Sequence, residues 1–123
     1  MVSKAVIKHI NALKSKKYRY KFLSFIAEGE KIIKELIHSK IVLKNLFLLE
    51  SDKHLLEIFA DLPHTLVNSS ELKKMSGLKT PNNCLAEFSF TPQEATEIVT
   101  TDWIIVLDEI QDPGNLGTII RSA

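Results

Sequence analysis

Trp103-Ile104-Ile105-Val106-Leu107-Asp108-Glu109-Ile110-Gln111-Asp112-Pro113-Gly114-Asn115-Leu116-Gly117-Thr118-Ile119-Ile120-Arg121-Ser122-Ala123 is the stretch from which the rest of the sequence is best read. It opens on an unbroken apolar run with two Ile and a Val, the composition of a parallel strand buried on both faces. Asp108 stands where that run stops. Asp112-Pro113-Gly114-Asn115 is turn chemistry, because Pro fixes φ while Gly and Asn tolerate positive φ. Around Gly117 the apolar residues Leu116, Ile119 and Ile120 return at helical spacing. The segment reads strand, polar loop, helix, and loops at strand C-termini are where open α/β sheets bind ligands.

Arg121 falls about one turn into the expected helix, near the positive end of its dipole, where a cation is disfavoured by a few tenths of a kcal/mol. A carboxylate or phosphate opposite it would remove that penalty; a solvated surface Arg is the plainer alternative. The loop is not a P-loop, since no Lys-Ser/Thr pair follows the glycines. Gly114 and Gly117 give one G-x-x-G and no G-x-G, so it is not a dinucleotide fingerprint either.

Upstream, helical and strand patterns alternate. Val6, Ile7, Ile10 and Leu13 predict an amphipathic helix over residues 2–14. A strand is expected over 22–27. Glu28-Gly29 then leads into a helix with Ile32, Ile33, Leu36 and Ile37 on one stripe. A second strand is expected over 43–49, followed by a helix capped by Asp52 and closed before Pro63. Residues 65–67 make a third, short strand. Ser69 is a plausible N-cap for a helix over 71–76 that Gly77 ends. Residues 85–90 alternate apolar and polar, the period of a half-buried strand. This order predicts an α/β fold: a small mixed or parallel sheet with helices on its faces. We expect a first domain over 1–90, a polar linker over 91–101 that opens with Thr91-Pro92, and the strand-loop-helix over 102–123.

Charge is nearly balanced, with 16 Lys and Arg against 15 Asp and Glu, but its distribution is uneven. Lys14, Lys16, Lys17, Arg19 and Lys21 crowd one short stretch, interleaved with Tyr18 and Tyr20. Such cations replace counterions on a phosphate backbone, and tyrosine rings stack on unpaired bases. The alternative is a solvated connection between two elements. For Glu28-Gly29 the alternative is an ordinary helix start, with a carboxylate in the first turn and Gly relieving a tight bend.

No apolar run approaches the roughly 20 residues that span a bilayer, so no membrane partner is expected. A single Cys84 forms no internal disulfide, which fits a cytoplasmic location. The residues His9, His38, His54 and His64 lack metal-ligand spacing, and no metal is expected.

The stretch Leu107-Asp108-Glu109-Ile110-Gln111-Asp112-Pro113-Gly114-Asn115-Leu116-Gly117-Thr118-Ile119-Ile120-Arg121 closely resembles the first signature motif of the SpoU/TrmH family of RNA ribose 2′-O-methyltransferases. Asp108, Asp112, Pro113, Asn115, Gly117 and Arg121 each match it. Phe25-Ile26-Ala27-Glu28-Gly29, preceded by Lys17-Tyr18-Arg19, resembles the start of the family's N-terminal substrate-binding domain, which is related to a ribosomal-protein RNA-binding fold. That domain's far end usually reads Thr-Pro-Gln-Gly; here it is Thr80-Pro81-Asn82-Asn83, and Asn83 is expected to tolerate the αL backbone that Gly would take.

The resemblance implies methyl transfer from S-adenosylmethionine to a ribose 2′-hydroxyl of rRNA or tRNA. It makes Asn115 and Arg121 catalytic, and Lys14, Lys16, Lys17, Arg19, Lys21, Glu28 and Gly29 RNA-binding. It also implies a homodimer in the full-length protein and a knotted catalytic domain, of which residues 102–123 are the truncated start. The cofactor-binding segments would lie beyond them, so the chain alone is expected to be inactive. The competing reading is a stand-alone small RNA-binding protein without catalytic activity.

Overall fold

The computed structural model describes residues 1–92 and 103–123. Two compact units, Met1–Pro92 and Gln93–Ala123, divide the chain. Most of the expected linker lies outside the described residues.

The first unit runs α1 (Lys4–Ala12), α2 (Lys16–Phe22), β1 (Ser24–Glu28), α3 (Glu30–Ile37), β2 (Leu43–Leu49), α4 (Lys53–Ile58), β3 (Thr65–Val67), α5 (Ser69–Met75) and β4 (Cys84–Ser89). Its sheet has the order β1-β4-β2-β3. The last strand enters the middle, antiparallel to both β1 and β2, while β2 and β3 are parallel. The sheet is therefore mixed, one of the two arrangements that the alternating pattern predicts.

Side chains alternate across this sheet and fill two cores. Leu46, Leu48, Cys84, Ala86 and Phe88 pack with Ile33, Leu55 and Phe59 on one face. Phe47, Leu85 and Val67 pack with Ile10, Leu13, Leu72 and Met75 on the other. Burial of a Leu, Ile or Phe side chain stabilises by roughly 1.5–3 kcal/mol, so each face holds its helices firmly.

Five local features differ from the sequence expectation. The basic stretch is a helix, α2, and β1 starts at Ser24 rather than residue 22. Its residues include no Gly or Pro, and Tyr18 and Phe22 stack at i,i+4, a helical pairing. Leu23 closes it with an αL backbone at φ 49°. The fourth strand is not half-buried. As a central strand it is covered on both faces, and Glu87 is only 1% exposed.

The helix at 69–75 is capped by Asn68, not Ser69. The Asn68 side chain accepts from the Glu71 N–H at 2.9 Å while Glu71 Oε2 accepts from the Asn68 N–H at 3.0 Å, a reciprocal capping box. Asn83 is not in αL, since the only non-glycine residues with positive φ among those described are Leu23 and Glu109. Its amide instead donates to Asp52 Oδ2 at 2.8 Å. Asp52 also caps α4, as expected, through Oδ1 and the Leu55 N–H.

The fifth difference lies in the second unit. Residues 103–107 form no strand, because no described strand pairs with them, and a strand exists only through its ladder. The helix α6 (Pro113–Ser122) starts at Asp112-Pro113, several residues before the expected point. Asp112 Oδ2 accepts from the Asn115 N–H at 2.8 Å, and Pro at the first helical position needs no partner for a missing N–H.

Candidate nucleic-acid interface

The cations of residues 14–21 divide into two kinds. Lys14 Nζ donates to Asn11 Oδ1 at 2.5 Å and to the Ser76 carbonyl at 2.7 Å, tying α1 to the end of α5. Arg19 donates from Nη1 to the carbonyls of Leu13 and Lys14, at 3.1 and 2.8 Å. Those carbonyls lie past the end of α1, where a helix has unpaired acceptors. Lys16, Lys17 and Lys21 instead stand over aromatic rings: Lys16 over Tyr20 at 5.9 Å, Lys17 over Tyr18 at 5.9 Å, and Lys21 over Tyr18 and Phe22 at 5.9 and 5.6 Å. Such contacts near 6 Å are worth only about 0.5–1 kcal/mol at exposed sites, so these ammonium groups can turn to a phosphate at little cost.

Glu28 and Gly29 lie at the other kind of junction, from β1 into α3. Glu28 Oε2 accepts from Ser76 Oγ at 2.5 Å and Oε1 from the Gly77 N–H at 2.8 Å, so the carboxylate holds the loop after α5. Gly29 has φ 103° and ψ 143°, a region that is essentially glycine's own, and it precedes α3 as its N-cap. Asn82 borders it: a Cβ added to Gly29 would stand 3.4 Å from the Asn82 amide nitrogen. A shallow polar groove opens beside it, lined by Glu30, Asp52, Pro81, Asn82 and Asn83.

Beneath the basic helix lies a buried polar network that the sequence did not announce. Burial alone would raise the Glu87 carboxyl, but hydrogen bonds from His9 Nε2 at 2.9 Å and Asn45 Nδ2 at 2.7 Å outweigh it and hold the pKa below the ordinary value. An ionised Glu87 requires His9 Nε2 to carry a proton. A Glu in an alternating strand gave the only available signal, and it pointed to solvent. Cys84, in the core on the opposite face of the sheet, is a buried thiol whose pKa burial pushes up to about 11.

In the second unit the motif residues are solvent-facing. Asn115, Gly117 and Arg121 are exposed. Arg121 lies in the last turn of α6, where the helix dipole favours a cation; the penalty expected from a later helix start does not arise. Asn115 and Arg121 are separated by about 9 Å along the axis and by about 120° around it, from the geometry of a regular helix. They do not converge on one point within α6.

The chain is 26% identical over 117 residues to the 23S rRNA (guanosine(2553)-2′-O)-methyltransferase RlmP of Bacillus subtilis, covering 95% of this chain and 46% of that protein. It is 31% identical over 130 residues to the mitochondrial rRNA methyltransferase 3 of Xenopus laevis, covering 98% of this chain and 31% of that one. A solved RNA 2′-O ribose methyltransferase superposes with a TM-score of 0.77 at 24% identity, over 99% of this chain and 49% of that one; this shows a shared fold. The chain thus spans half or less of the length of these proteins. Residues 4–86 match the MRM3-like substrate-binding domain, and the chain belongs to that family.

Proposed function

We propose that residues 1–92 bind rRNA for a ribose 2′-O-methyltransferase that uses S-adenosylmethionine, and that residues 103–123 open its catalytic domain. The observation that carries this reading is the pairing of a substrate-domain match over residues 4–86 with the motif Asp108 to Arg121 that follows it later in the chain. Lys16, Lys17 and Lys21 are the cations free to meet phosphate, while Lys14 and Arg19 shape the surface they stand on. Glu28 and Gly29 act at the same domain's β1–α3 junction by shaping the surface that meets RNA, Glu28 through the loop after α5 and Gly29 through the turn into α3.

Residues 103–123 do not by themselves fit the cofactor. Asn115, Gly117 and Arg121 are exposed, and a Cβ added to Gly117 would meet nothing within 4 Å, so these residues form no cradle. The chain alone is therefore inactive under this reading. Arg121 keeps its charge at any physiological pH, which suits it to stabilise negative charge developing on a ribose oxygen rather than to accept a proton. Asn115 orients the loop or the substrate through its amide. Under the same reading the single Cys84 suits a reducing cytoplasm, and two copies pair in the full-length enzyme, as the family resemblance implies. Among the described residues no helix is long and apolar enough to cross a membrane.

The test is transfer of labelled methyl from S-adenosylmethionine to rRNA by the native protein that carries these residues. One alkali-resistant ribose should result, and Arg121→Ala should lower kcat by about 10²–10³, the usual effect of losing one such donor. Label in a base, or RNA binding with no transfer, would overturn the reading.

A further inference from the structure

A groove of about 540 Å³ runs between α1 and α2, walled by Ala5, Lys8, His9, Ala12, Tyr18 and Phe22. That volume is in the range of small-molecule sites, which run from about 300 to 1,000 Å³. Tyr18 and Phe22 are 37% and 36% exposed and belong to neither core, so packing of the fold does not account for them. Their rings lie nearly parallel, 15° apart with centroids at 6.1 Å.

These walls are held in place from behind. The His9 ring meets Phe22 edge-on at 4.9 Å, and its Nε2 is fixed by the buried Glu87. The Phe22 carbonyl accepts from Ser24 Oγ at 3.0 Å and from Lys44 Nζ at 3.3 Å, which anchors the end of α2. A groove so braced loses little freedom when it is filled. Its surroundings are cationic: residues 1–27 contain no Asp or Glu. The carboxylate behind His9 is buried and already hydrogen-bonded.

We propose that this groove seats one unpaired nucleobase of the bound RNA, stacked on the Tyr18–Phe22 surface, with Lys17 and Lys21 on the flanking phosphates. This rests on the RNA-binding reading above and adds to it a single-strand subsite at a defined place. Flat apolar walls ringed by cations match a base on a phosphate chain, because every base offers a π-face and brings negative charge with it. An acidic peptide helix would share the charge but would not need parallel rings.

The experiment titrates the 123-residue chain with a short single-stranded oligoribonucleotide and with the same sequence as a duplex, and maps photocrosslinks from 5-iodouridine. The single strand should bind better than the duplex, and crosslinks should fall on Tyr18 or Phe22. Tyr18→Ala should weaken the single strand by roughly 5- to 150-fold, the usual worth of one base stack, with an unchanged thermal midpoint. Tyr18→Phe should restore binding, since it keeps the ring. Should Tyr18→Ala lower the midpoint, Tyr18→Leu keeps apolar bulk without the ring and should give the same loss. Tyr18→Ala or Tyr18→Leu binding like wild type, or equal binding of duplex, would overturn the groove as base site while leaving RNA binding intact. Failure of wild type to bind either RNA would overturn both.

Discussion

Gly29→Ala isolates what a single backbone position contributes. Gly29 sits at φ 103° and ψ 143°, where an L side chain costs about 1–3 kcal/mol. The strain has no easy release, because the Gly29 N–H donates to the Cys84 carbonyl at 3.2 Å and its carbonyl accepts from the Ile33 N–H at 3.1 Å. Space is not the obstacle: the new Cβ would stand 3.4 Å from the Asn82 amide, the end of a side chain that can give. For a domain of this size each kcal/mol moves the melting point by about 4–8 °C, so the expected fall is about 4–24 °C. Thermal unfolding followed by far-ultraviolet circular dichroism measures it. Gly77→Ala is the control. Its Cβ would meet Glu28 Oε1 at 3.6 Å and Lys14 Cε at 3.9 Å, both ordinary contacts, and its φ is not positive, so it should stay within about 0.5 kcal/mol of wild type. Equal melting points for Gly29→Ala and wild type, or an equal loss in Gly77→Ala, would refute the assignment of this glycine to backbone need.

Asn68→Ala should destabilise by about 0.5–2 kcal/mol in urea unfolding through loss of the capping box, while Ser69→Ala should do little; the reverse order would restore Ser69 as cap. Because the Glu87 pKa is lowered in the folded protein, its contribution is full above the ordinary glutamate value of about 4.3 and is lost as pH falls through the folded value. Glu87→Gln should therefore be less stable than wild type near neutral pH and should flatten the acid limb of stability against pH. An unaltered limb would mean that Glu87 is not ionised in the core. Cys84, buried and with its thiol pushed up to about 11, should react slowly with maleimide until denaturant is added; fast labelling of native protein would contradict its place in the core.

The sequence was most legible where local chemistry and tertiary structure agree. Residues 43–49 and 65–67 form strands at the expected bounds, and polar turn and cap residues, Glu50-Ser51-Asp52 and Asn68-Ser69, follow each directly. Asp52 caps α4 for the same local reason. It was least legible where the cause is distant. The insertion of β4 between β1 and β2 buries Glu87 on a face that alternation assigns to water, and its partners His9 and Asn45 lie far off in sequence. The basic stretch is a helix whose local signal, the i,i+4 pairing of Tyr18 with Phe22, is weak beside its run of charge. Arg19 illustrates the same point for the candidate site: composition groups it with the lysines, whereas geometry gives it to the carbonyls past α1.

The most direct test of RNA binding by this domain is the salt dependence of that binding in the 123-residue chain. Log affinity for single-stranded RNA should fall linearly with log salt, by about 0.7 for each phosphate neutralised. Replacing Lys16, Lys17 and Lys21 together by Ala should flatten that slope by up to about 2 and leave the melting point in place, since their ammonium groups stand over exposed aromatic rings. An unchanged slope in the triple variant, or wild-type binding that ignores salt, would contradict the assignment of this face to RNA.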